Sequence, residues 1–71
     1  MSRWPTVKAR DLLAALERIG WTVIRSQGGS HRVLARPGWR NHSFSHHDGV
    51  EIGPKMLARI AKRTGLTPGD L

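Results

Sequence analysis

The hydrophobic period changes at Gly20, and that change commits the chain to a mixed α and β fold. Between Thr6 and Ile19, the residues Ala9, Leu12, Leu13, Leu16 and Ile19 recur at the spacing of one helical face. Lys8, Arg10, Asp11, Glu17 and Arg18 take the remainder of that surface. Thr6 stands where a side-chain oxygen can accept a first-turn N–H, and Gly20 supplies the left-handed residue that ends many helices. From Trp21 the period is two: Trp21, Val23 and Arg25 alternate with Thr22, Ile24 and Ser26, the pattern of a strand.

Gly28-Gly29 signals a turn, and a second strand is expected over His31–Arg36, with Arg32, Leu34 and Arg36 on one side and His31, Val33 and Ala35 on the other. Pro37-Gly38 opens a loop that carries Trp39 and Arg40, and a third strand over Asn41–Ser45 leads to His46-His47 and the Asp48-Gly49 turn. A last helix is expected from Pro54 to Thr64, with Gly53 as its cap, Pro54 at its first position, and Gly65 as its stop. Ile52 and Leu57 are placed to staple its start. Met56, Leu57, Ile60 and Ala61 form its apolar face, and Lys55, Arg59, Lys62 and Arg63 form a basic ridge opposite. The fold class is therefore α+β in the order α-β-β-β-α. Three antiparallel strands are expected with both helices on one face, leaving the other face open to solvent or ligand.

At 71 residues this is a single domain spanning residues 1–71, and its core is thin. The absence of cysteine excludes disulfides and thiolate metal sites and suits a reducing cytoplasm. Met1–Arg10 carries Arg3, Lys8 and Arg10 with no apolar stretch behind them, so neither a signal peptide nor a membrane span is expected. Charge is the stronger pointer to function. Twelve Lys and Arg against five Asp and Glu leave +7 on a very small surface, a field that attracts polyanions such as nucleic acid. Nine of those twelve cations are Arg, the side chain whose planar fork best suits phosphate. A charge that merely keeps the chain soluble, or an acidic protein partner, would also fit.

Gly28-Gly29-Ser30-His31 is the first chemical candidate. A glycine turn lets a phosphate approach the backbone, Ser30 adds a hydroxyl donor, and His31 sets an imidazole at the rigid start of a strand. Such an imidazole can take a proton from a ribose 2′-OH or give one to a leaving oxygen. Spacing alone favours the plainer reading, a tight turn followed by a structural histidine. His42, His46, His47 and Asp48 form a second cluster. His46 and His47, as strand neighbours, would face opposite ways, which argues against a zinc site and for a solvated basic patch. One of these histidines could flank His31 across the sheet. The glycines show no phosphate-loop or dinucleotide pattern, and Ser30 lacks a nucleophile elbow. Lys55 lies in the first turn of the last helix, where a phosphate is welcome. Trp39 and Arg40 could stack on a base, although Trp39 could equally pack on the core.

The segment Leu16-Glu17-Arg18-Ile19-Gly20-Trp21 followed by Arg25-Ser26-Gln27-Gly28-Gly29-Ser30-His31 resembles the HicA family of mRNA interferase toxins. Phe44-Ser45-His46-His47-Asp48-Gly49, Gly53-Pro54-Lys55-Met56-Leu57-Ala58-Arg59-Ile60 and Thr64-Gly65-Leu66 resemble it too, so the likeness runs from about Thr6 to Leu66. The resemblance implies a double-stranded-RNA-binding-domain-like fold and a ribonuclease that cleaves mRNA, one half of a bacterial toxin–antitoxin pair. The family's essential histidine follows glycine-serine, which corresponds to His31, and its HicB antitoxin binds over the active site. Many relatives carry a second histidine where this chain has Arg32, and an aliphatic residue with Pro or Ile where it has Phe44-Ser45.

The function expected is thus a metal-independent endoribonuclease with no cofactor, acting on mRNA in the cytoplasm and neutralised by a HicB-type antitoxin. His31 is the expected general acid or base, and Gly29, Ser30, Arg32, Lys55 and Arg59 are the expected RNA contacts. An RNA-binding module without catalysis is the alternative. A small DNA-binding protein is disfavoured because no helix-turn-helix spacing is present.

Overall fold

A computed structural model of the chain describes residues 3–71. Met1 and Ser2, which head the Met1–Arg10 stretch and the expected domain span, lie outside the described residues. In chain order the elements are β1 (Val7–Lys8), α1 (Ala9–Arg18), β2 (Thr22–Gln27), β3 (His31–Ala35), β4 (His42–Ser45), β5 (Glu51–Ile52) and α2 (Pro54–Thr64), followed by a single 3-10 turn over Pro68–Asp70. Strands β2, β3 and β4 form one antiparallel sheet in that order, and β1 and β5 form a separate two-stranded ribbon.

The ribbon corrects the expected start of the first helix. Val7 and Lys8 are extended and pair with Ile52 and Glu51, so α1 begins at Ala9 and Thr6 caps nothing. Main-chain carbonyls replace the side-chain cap. The N–H of Ala9 donates to the Val50 carbonyl at 2.8 Å and that of Arg10 to the Asp48 carbonyl at 3.1 Å. The other end of α1 closes as expected: the N–H of Gly20 (φ 111°) donates to Glu17, and that of Trp21 donates to Leu16.

Both helices cover one face of the sheet. Leu12 and Leu16 from α1, Leu57 and Ile60 from α2, and Leu34 and Phe44 from the sheet share a single buried cluster with Trp21, Ile52 and Leu66. Within α2 the buried face is Leu57, Ile60 and Thr64, an i, i+3, i+7 row. Met56 was expected on that face but lies 40% exposed, because it sits one residue (about 100° of helix) ahead of the row. Gly65 at φ 77° ends the helix, its N–H donating to Ala61 at 2.9 Å.

A β-bulge changes the faces of β2. Val23 pairs with Leu34, yet Arg25 pairs with Val33, so Ile24 is an extra residue in the ladder and is 56% exposed. Strict alternation from Trp21 would set Arg25 on the same side as Val23. The bulge instead turns it to the open face, where the paired positions also place Gln27, His31 and Val33.

Candidate nucleic-acid interface

The β2–β3 connection is three residues, Gly28-Gly29-Ser30, and it positions the first candidate. Gly28 has φ 53°, the left-handed region that a side chain resists, and the N–H of His31 returns to its carbonyl at 3.3 Å. Beyond the adjoining residues of the turn, no atom lies within 4 Å of where a Cβ would stand on Gly28 or Gly29, so the outside of the turn is open to an approaching group. His31 opens β3 half-buried, opposite Gln27 on β2 and Ser45 on β4. Val33 is flanked in the same way by Arg25 and Ser43. Arg25, Gln27, Ser43 and Ser45 thus surround His31 on the open sheet face with one cation, one amide and two hydroxyls. Their positions depend on the bulge and the strand register, which residue types alone do not reveal.

Arg32 points the other way. It pairs with Phe44 on the helix-covered side, and its Nη2 lies 3.5 Å from Asp48 Oδ1. Its Nη1 is buried with no hydrogen-bond partner. Among the described residues this is the single salt bridge.

None of the later histidines takes the place across from His31, because Ser45 occupies it. His42 pairs with Leu34 on the core side and is only 8% exposed, its ring edge-on to Trp21 at 6.2 Å. It is therefore a core histidine and not part of a solvated patch. Burial lowers its pKa, and the nearby charges of Arg63 and His46 push in the same direction. His46 packs edge-on against Phe44 at 5.3 Å. Among the described residues, no group of three or more His, Cys, Asp or Glu is arranged to hold a metal ion.

Trp39 does pack on the core, as one of its two readings expected. Its ring meets Trp21 at 6.1 Å, the Arg36 guanidinium sits 5.2 Å from its centroid, and 42% of the residue stays exposed. Lys55 and Arg59 are exposed on α2 and border a shallow apolar hollow with Gly53, Pro54 and Met56. His31 borders neither that hollow nor the grooves beside β4, so the expected RNA contacts fall into two separate places.

This is the α-β-β-β-α arrangement of double-stranded-RNA-binding-domain type, with a cationic surface and one sheet face uncovered. A family model described as the HicA toxin of bacterial toxin–antitoxin matches residues 9–66, so the chain belongs to the HicA toxin family. It is a toxin of a toxin–antitoxin system, in a family whose members are generally RNase toxins with an antitoxin partner. No curated protein matches the sequence. Among the described residues, no helix is long and apolar enough to cross a membrane.

Proposed function

We propose that the chain is an mRNA interferase, a cytoplasmic endoribonuclease in which His31 is the general base. The observation that carries this is the place of His31, on the uncovered sheet face directly after the open Gly28–Ser30 turn, with Arg25, Gln27 and Ser45 around it. The scissile phosphate lies against the main chain of Gly29 and the hydroxyl of Ser30. His31 removes the proton of the 2′-OH, the 2′ oxygen attacks the adjacent phosphorus, and the bond to the 5′ oxygen breaks. That oxygen takes a proton from water, which leaves a 2′,3′-cyclic phosphate and a 5′-OH. Base catalysis of this kind is worth about 10²- to 10⁴-fold, and the remainder comes from orienting the attack in line and from cations beside the developing charge. Arg25 is the cation on that face. Lys55 and Arg59 hold more distant phosphates, while Arg32, turned to the helix-covered side and held by Asp48, does not share the face of His31.

The family partner is a HicB-type antitoxin, acidic enough to match a +7 surface, which covers His31 and part of the basic ridge. Binding of the folded toxin alone raises its melting temperature while it blocks RNA.

The experiment is cleavage of an unstructured mRNA fragment by wild type and His31→Ala, with a chelator present throughout. Wild type cuts, and the variant loses at least about 100-fold in rate while its RNA affinity and melting temperature stay near wild type. A variant that cuts at the wild-type rate overturns the role of His31. A wild type that binds RNA and never cuts it identifies a binding module.

A further inference from the structure

Beside edge strand β4 the structure has a second polar surface, separate from the face that carries His31. Two grooves of about 680 and about 360 Å³ run between β4 and α2 and share His42, Ser43, Lys62 and Arg63 in their walls, so they are one continuous trough. Trp39 and Arg40 line one end, and His46 and Arg59 line the other. Four cations therefore converge on the trough, and no Asp or Glu borders it. None of the four takes part in the single salt bridge among the described residues, so their charge is not neutralised within the chain.

We infer that the trough between β4 and α2 binds the single-stranded RNA that flanks the cleavage site. This rests on the RNA-cleaving role of the open face and adds a place for the substrate outside it. A row of unpaired Arg and Lys suits a phosphodiester backbone, and the exposed part of Trp39 at the end of the row offers a base something to stack on. An acidic protein segment fits the charge too, but the trough lies beside the face that carries His31, with only β4 between them, and that nearness favours the substrate strand. Geometry connects the two places. Only β4 lies between the trough and β3, so an RNA strand leaving the trough reaches His31 by crossing about two strand spacings, on the order of 10 Å.

The test uses the double variant Lys62→Gln and Arg63→Gln, both exposed positions, in the full chain. In a His31→Ala background, the affinity for an unstructured pyrimidine oligonucleotide falls about tenfold, and the salt slope of binding drops by about 0.7 per lost contact. With His31 present, KM for long RNA rises while kcat and cleavage of a dinucleotide hold. The ring signals of His42 and Trp39 shift when the oligonucleotide is added to the His31→Ala protein. Unchanged affinity in the double variant, or ring signals that do not move, overturns the inference. So does poly-glutamate that binds as tightly as RNA with the same dependence on Lys62 and Arg63, which would make an acidic polypeptide the occupant. If wild type cuts no RNA but the double variant loses oligonucleotide affinity, the trough stands and the catalytic role of His31 falls.

Discussion

The indole N–H of Trp21 donates to the main-chain carbonyl of Thr64 at 3.0 Å, joining the residue that ends α1's connection to the last residue of α2 across 43 positions of sequence. The bond is buried, and Arg36 Nη1 reaches the same carbonyl at 3.3 Å. The Thr64 hydroxyl donates to the Ile60 carbonyl and accepts from the N–H of Leu66, so the end of the helix has its polar groups met from several directions. In a thin-cored domain this junction holds the second helix, and with it the basic ridge, against the sheet.

Replacing Trp21 with Phe removes the donor and part of a buried ring. Because Arg36 still satisfies the Thr64 carbonyl, the expected loss is about 2 kcal/mol, less than for a fully orphaned group. For a domain of this size that lowers the melting temperature by about 8–16 °C. Urea titration measures it, and a loss below about 0.5 kcal/mol would show that the junction is not a main source of stability.

Gly65 is tied to the same junction. It has φ 77°, and a Cβ placed there would stand 3.0 Å from a ring carbon of Trp39. Gly65→Ala therefore meets both backbone strain and a clash, and it is expected to destabilise by about 1–3 kcal/mol. Combining it with Trp39→Ala removes the clash and leaves the strain. The two losses should then sum to more than the double variant shows, which a double-mutant cycle in urea detects.

The fold was legible where a period runs for several residues. The α2 limits follow from Pro54, Gly65 and the apolar run that includes Leu57 and Ile60, and the hairpin follows from Gly28-Gly29 between two alternating runs. The β1–β5 ribbon was not legible, because strands of two residues carry no period and Thr6 offered a competing cap for the helix. Of the candidate site, the turn and the place of His31 at the start of β3 were legible. Its surroundings were not, since the extra residue at Ile24 reverses the face of Arg25 and only cross-strand register shows it. His42 was misplaced for a related reason: grouping it with His46 and His47 suggested a solvated basic patch, while pairing with Leu34 carries it into the core.

That core position makes stability depend on pH. Burial, then the charges of Arg63 and His46, hold His42 below the ordinary histidine value of 6.5. The unfolded chain therefore takes up this proton first as pH falls, and each step of protonation favours unfolding. The melting temperature is expected to be level above that value, to decline as pH drops through it, and to level again below the folded-state pKa. His42→Phe should remove this part of the profile. Asp70, whose carboxylate is held low by the Thr67 N–H and hydroxyl, acts in a separate window below its ordinary 3.8, where its contribution is lost on acidification. An unaltered decline in His42→Phe would assign the effect to another group.

The bulge at Ile24 gives the last prediction, because it decides which cation shares a face with His31. Arg25 is exposed and stands opposite Val33, two pairs along from the Gln27–His31 pair and next to it on the same face, a diagonal that a long side chain spans. A guanidinium there can meet the charge that builds on the phosphate as the 2′ oxygen attacks. Arg25→Ala is expected to lower kcat by about 10- to 100-fold, with its melting temperature close to wild type. Arg25→Lys should recover only part of that rate, since an ammonium keeps the charge but loses the two-pronged grip on phosphate oxygens. Arg10→Gln, an exposed cation in the first turn of α1, removes the same charge from the helical layer, off the open face that carries His31, and serves as the control. A loss of rate in Arg10→Gln equal to that in Arg25→Ala would mean that the overall field attracts RNA and the position of Arg25 adds nothing. A loss confined to Arg25→Ala, appearing in kcat more than in KM, places the guanidinium beside the reacting phosphate, and it makes the single extra residue in β2 the feature that completes the site.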